Sequence, residues 1–119
     1  SLQRIFGYFF APVTWLMGIP WHESAAAGAL LGTKTVVNEV VAFSDLAALP
    51  KGTLSDHTST IMTYALCGFA NFSAIGIVIG GLGAMVPERR DMIVSLGLKS
   101  VASGTIATCL SATLAGLLL

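Results

Sequence analysis

Apolar residues run along this chain in long blocks, and almost every block is interrupted near its middle by a polar group. Residues 24–49 form the first such block. Gly32, Thr33, Lys34, Thr35, Asn38, Glu39 and Asp45 break it, with Val36-Val37 and Val40-Val41 bracketing the Asn38-Glu39 pair. Two apolar arms around a polar middle, bounded by Pro20 and Pro50, predict a re-entrant helical hairpin over 23–50, tolerated where protein or water covers the turn. A second block, 59–86, has the length of a membrane span but carries Gly68-Phe69-Ala70-Asn71-Phe72-Ser73-Ala74 at its centre, which predicts a broken transmembrane helix. A third, 90–118, is continuous and predicts the last transmembrane helix. Residues 1–22 mix aromatic and apolar groups with Arg4, Pro12 and Pro20, and suit an interfacial helix with Trp15 and Trp21 at the membrane surface.

The connecting segments carry their own signals. Lys51–Thr58 is a polar loop in which Ser55, Asp56 or Thr58 can cap the next helix. Gly76 and Gly80 have the small-xxx-small spacing of a helix contact. Pro87-Glu88-Arg89-Arg90-Asp91 is the one dense charge cluster, with Pro87 suited to a first helical turn. On the last helix Ser100, Ser103, Gly104, Thr108, Ser111 and Ala115 share about a third of the circumference at roughly 100° per residue, a face expected to pack against protein. The positive-inside rule puts the Arg89/Arg90 loop in the cytoplasm.

Composition strengthens the membrane reading. Of 119 residues, 55% are hydrophobic and 10% charged, against roughly 25% charged in soluble domains. No formally charged side chain occurs from His57 to Pro87 or from Ser100 to Leu119. Six basic against six acidic residues leave no basic patch for a nucleic acid. Cys67 and Cys109 lie in apolar segments and read as small core residues, with no disulfide framework and no zinc spacing. The start at Ser1 without a Met and the apolar end at Leu119 suggest a fragment.

Glu39 is the most informative residue. A carboxylate at membrane depth costs about 2.5–3.5 kcal/mol on insertion scales unless it is paired or wetted. It can serve as a ligand or proton site, or pair with Lys34, or lie at a shallow surface. Asn71 can fix a polyhydroxylated ligand or bridge two helices. A broken hairpin and a broken helix in one short chain together point to a midplane transporter site. His22 and His57 read as solvated or capping groups, Lys34 as a snorkelling or paired one. Phe69 and Phe72 flank Asn71 and read first as packing groups, with contact to a planar base as the alternative. No nucleophile–His–acid set, metal cluster or phosphate loop can be assembled, so neither a catalytic nor a metal site is assigned and no enzyme is predicted.

Gly32-Thr33-Lys34-Thr35-Val36-Val37-Asn38-Glu39-Val40-Val41-Ala42-Phe43 resembles a hairpin segment written G-x-K-x-x-x-N-E-F-V-A-Y. Tyr64-Ala65-Leu66-Cys67-Gly68-Phe69-Ala70-Asn71-Phe72-Ser73, then Ile75–Leu82 and Pro87-Glu88-Arg89, are similar to a broken helix and its following loop. Both motifs, in this order and spacing, resemble the C-terminal half of the concentrative nucleoside transporter family. The resemblance covers essentially the whole chain.

It implies an all-α integral membrane protein: a re-entrant helical hairpin, a discontinuous transmembrane helix and a final transmembrane helix. It implies nucleoside uptake by cation-coupled symport with alternating access, in a multi-pass homotrimer of the inner (plasma) membrane. The coupling ion would be sodium or proton, with no other cofactor. The partners would be a nucleoside and the lipid bilayer. This chain would supply the ribose-binding half of the site, the first half having no counterpart here. Carried over residue by residue, Glu39 and Asn71 match positions that hydrogen-bond the ribose hydroxyls, and Phe69 an aromatic near the base. Many members have a ribose-contacting serine three residues after the asparagine. This chain has Ala74 there and Ser73 one position earlier, so Ser73 is the candidate replacement. Two other classes compete: a non-transporting pore or assembly subunit, and a soluble bundle.

Overall fold

The computed structural model describes residues 1–119 as six α-helices: α1 Leu2–Leu16, α2 Trp21–Val36, α3 Glu39–Ala48, α4 Asp56–Leu66, α5 Phe72–Met85 and α6 Arg90–Leu118, the last preceded by a 3-10 turn at Pro87–Arg89. Each interruption foreseen from the polar breaks is present. Val37-Asn38 separates α2 from α3, and Cys67–Asn71 separates α4 from α5. The helices after these breaks begin with side-chain caps, because an extended residue with a short polar side chain can satisfy an orphan N–H of the first turn. Asn38 Oδ1 accepts from the Val41 N–H at 3.0 Å, Asn71 Oδ1 from Ala74 at 2.7 Å, and Ser55 Oγ from Thr58 at 3.2 Å.

The first two helices approach each other closely through their backbones. A Cβ on Gly28 would stand 2.9 Å from both the Ala11 nitrogen and the Gly7 carbonyl oxygen. Thr14 Oγ1 donates across the interface to the Ser24 carbonyl at 3.0 Å. Pro12 lies inside α1, and Gly18, at φ +98, turns the chain towards α2. Helix α3 runs back along α2, since Thr33 and Asp45, and Ala26 and Leu49, border one cavity. Ile19, Leu31, Ala42, Ile61, Met62, Leu66 and Ala112 join these elements in one buried cluster with α4 and α6.

Length separates the helices that can span a bilayer alone from those that cannot. Pro87–Leu118 is the one stretch long and apolar enough. At about 1.5 Å per residue, the 11 residues of α4 reach roughly 16 Å and the 14 of α5 roughly 21 Å, short of a hydrocarbon core about 30 Å thick.

Three packing expectations are corrected. Within this chain the serines of α6 do not face protein: Ser100, Ser103 and Ser111 are exposed, while Val101, Cys109, Ala112 and Ala115 are buried. The packed side keeps Gly104, Thr108 and Ala115 of the expected face but is centred about a quarter turn from the serines, so that Gly104 meets Ala70, Thr108 meets Lys34 and Gly116 meets Ile61. Small apolar residues rather than hydroxyls let the backbones approach. Gly76 and Gly80 make no helix contact within this chain, for a Cβ at either position would have open space for 4 Å around it. Cys67 is exposed at the end of α4, because the helix stops there; Cys109 is buried as anticipated.

Candidate functional site at two helix breaks

Glu39 and Asn71 come from different interruptions and meet. Asn71 is the cap of α5 and is 2% exposed. Its Oδ1 is held by the Ala74 N–H, which orients the amide so that Nδ2 donates to Glu39 Oε2 at 3.0 Å. Glu39 is the first residue of α3. The carboxylate therefore lies at the N-terminus of α3 and contacts the cap of α5, so the positive ends of two helix dipoles complement its charge. One amide hydrogen of Asn71 and the Oε1 of Glu39 have no protein partner. The junction thus offers both a donor and an acceptor.

Phe69, two residues before Asn71, is 76% exposed and borders with Asn71 and Ala74 a small cavity of about 90 Å³. Ser73 is exposed, its hydroxyl makes no hydrogen bond within the chain, and it does not line that cavity. A much larger apolar groove, about 630 Å³, runs between α1 and α6 beside Phe10, Val13, Val101 and Cys109. Its lining is mostly hydrocarbon, with Thr35, Thr105 and Thr113 as its polar residues, whereas the junction brings together a carboxylate and an amide.

Lys34 behaves unlike either reading from sequence. It neither snorkels nor pairs with Glu39. The side chain is fully buried, and Nζ donates to Thr108 Oγ1 of α6 at 3.4 Å. His57 is exposed and its Nε2 lies 2.8 Å from the Gly116 carbonyl oxygen, joining the start of α4 to the end of α6.

Glu23 is the polar residue that sequence reasoning missed. It is 6% exposed in the first turn of α2. The Ser55 N–H donates to its Oε1 at 3.0 Å, Ser55 Oγ to its Oε2 at 3.3 Å, and Thr58 Oγ1 to Oε2. The carboxylate ties the base of α2 to the cap of α4. The available signal was its position in a helix start otherwise free of charge, with a Ser/Thr-rich loop downstream.

Comparison with known proteins identifies the family. A family model described as "Na+ dependent nucleoside transporter C-terminus" matches residues 1–116. The chain is 50% identical over 117 residues to the uncharacterized transporter YutK of Bacillus subtilis, covering 98% of this chain and 29% of that protein. It is 44% identical over 121 residues to the nucleoside permease NupC of Helicobacter pylori, again covering 98% of this chain and 29% of the relative. Among solved structures, CNTnw in an inward-facing substrate-bound state is similar with a TM-score of 0.90 at 43% identity, over 98% of this chain and 29% of that one. CNTnw N149L in an intermediate state gives 0.95 at 44% identity, over 100% and 30%. The chain spans under a third of the length of each of these proteins. With a family model over nearly all its residues and an all-helical fold that overlays on such transporters, the chain belongs to the Na+-dependent nucleoside transporter family, a family of transporters and not of enzymes.

Proposed function

We propose that the full-length protein takes up nucleosides by cation-coupled symport with alternating access, and that this segment supplies the ribose-binding half of the site. The hydrogen bond between Glu39 and Asn71 across two helix breaks is the observation that carries the reading. A ribose diol presents two hydroxyl donors and two acceptors. Glu39 can take the hydroxyl protons, and the remaining amide hydrogen of Asn71 can reach a hydroxyl oxygen. Losing one sugar hydroxyl would leave a polar group of this pair unmatched, at a cost of about 1–3 kcal/mol. Phe69, exposed on the approach to Asn71, is suited to contact the base, and Ser73 has a free hydroxyl for the sugar.

Sodium is the cation that the family description names. In this reading α2 and α3 form a re-entrant hairpin, α4 and α5 one discontinuous membrane helix, and α6 the last span of a multi-pass, homotrimeric inner-membrane protein. Helix termini at a break, facing a polar ligand near the bilayer midplane, are the usual construction of a secondary-transporter site. The test is uridine accumulation in proteoliposomes of the full-length protein under sodium, proton or no gradient, beside the Glu39→Gln variant. Gradient-driven accumulation that the variant loses is expected. Simple equilibration by the wild type, or accumulation by the variant to the wild-type level, would overturn the reading.

A further inference from the structure

The small cavity beside Asn71 has a second wall, supplied by α6. That helix closes on the break and on α5 at two glycines: a Cβ on Gly97 would stand 3.2 Å from Ile75 Cγ2, and one on Gly104 2.7 Å from Ala70 Cβ. Ser100 lies between the two glycines, on nearly the same side of the helix at roughly 100° per residue. It borders the cavity from α6, while Asn71 and Ala74 border it from the start of α5. Among the side chains around this space, those of Asn71 and Ser100 alone carry hydrogen-bonding groups, and the rest are hydrocarbon. Ser100 is exposed there, and its Oγ–H donates to the Gly97 carbonyl at 2.6 Å. With that proton committed, the Ser100 oxygen is left as an acceptor.

The size of the space narrows what it can take. A cavity of about 90 Å³ is well below the roughly 300 Å³ from which pockets hold a whole small molecule, and equals the liquid volume of about three waters. It suits one short arm of a ligand: a carbon against the hydrocarbon of Ala74, Val78 and Val101, ending in a hydroxyl that donates to Ser100. A nucleoside has such an arm. With the 2′,3′-diol on Glu39 and Asn71, the remaining sugar hydroxyl is on the 5′ carbon, two bonds from the carbon that bears the 3′ hydroxyl. An arm anchored beside Asn71 therefore starts next to a space that Asn71 itself borders.

We propose that Ser100 is a substrate-contacting residue that selects for the 5′-hydroxyl of the nucleoside, its Oγ accepting that hydrogen bond in the cavity between α5 and α6. The proposal rests on the ribose reading of Glu39 and Asn71 and adds a third sugar contact to it. The test is calorimetric binding of uridine, 5′-deoxyuridine and 3′-deoxyuridine to the purified full-length protein in sodium, for wild type and Ser100→Ala. The wild type should bind uridine about three- to tenfold more tightly than 5′-deoxyuridine, the effect of one neutral hydrogen bond. Ser100→Ala should lose that preference while binding 5′-deoxyuridine as the wild type does. Absence of the preference in the wild type, its survival in Ser100→Ala, or an equal loss of affinity for both ligands would overturn the proposal. The third ligand separates this outcome from failure of the ribose reading. A wild type that holds 3′-deoxyuridine as tightly as uridine would sink the diol assignment, and no uridine binding at all would sink both. Discrimination against 3′-deoxyuridine with no effect of Ser100→Ala would sink the Ser100 contact alone.

Discussion

Replacing Asn71 tests the geometry of the junction most directly, because its amide performs two separable tasks. The Oδ1 caps α5 through the Ala74 N–H at 2.7 Å, and the Nδ2 donates to Glu39 at 3.0 Å. Loss of a helix cap costs typically about 1 kcal/mol, and loss of a hydrogen bond to a charged partner about 1.5–3 kcal/mol. Asn71→Ala removes both, so a destabilisation of about 2.5–4 kcal/mol is expected, by addition of the two terms. Asn71→Ser keeps a cap-competent hydroxyl but is too short to reach Glu39, and should lose only the second, about 1.5–3 kcal/mol. Thermal unfolding of the purified full-length protein gives the order, with wild type most stable, then Asn71→Ser, then Asn71→Ala. In a Glu39→Ala background Asn71→Ser should cost much less, since its lost partner is already gone. Equal losses for the two Asn71 variants, or a serine penalty unchanged by Glu39→Ala, would refute this division of labour.

Other changes follow from the same contacts. Gly28→Ala should destabilise by about 1–3 kcal/mol, because the new methyl meets backbone atoms of Gly7 and Ala11 at 2.9 Å that cannot swing aside. Gly76→Ala, in open space, should be neutral or gain up to about 1 kcal/mol of helix propensity, and the two melting curves side by side check both. Glu23→Gln replaces an acceptor of three hydrogen bonds by a group with one acceptor oxygen, so hydrogen exchange of the Ser55 and Thr58 amides should accelerate while those of α6 keep their protection. Unchanged exchange at Ser55 would mean that Glu23 does not hold the base of α2 to α4.

What the sequence determined by itself was where helices stop. The breaks at Asn38-Glu39 and around Asn71, and a cap among Ser55, Asp56 and Thr58, were legible because the competition between a short polar side chain and the first-turn amides is local, confined to about one helical turn, whereas that Asn38 and Asn71 are themselves caps came from the structure. The apolar run of α6 and its start beside Pro87 were legible for the same reason: hydropathy needs no partner. What only the tertiary structure decided was who meets whom. Which face of α6 packs depended on small residues that admit Ala70 and Ile61, so the serine stripe, equally plausible as a pattern, ended outward. The burial of Lys34 and its reach to Thr108, 74 positions away, leave no trace in local composition. Glu23 was overlooked because its three donors come from a loop and helix start more than thirty residues downstream. Long-range polar pairing is fixed by how helices dock, and a side chain carries no record of the partner that docking will bring to it.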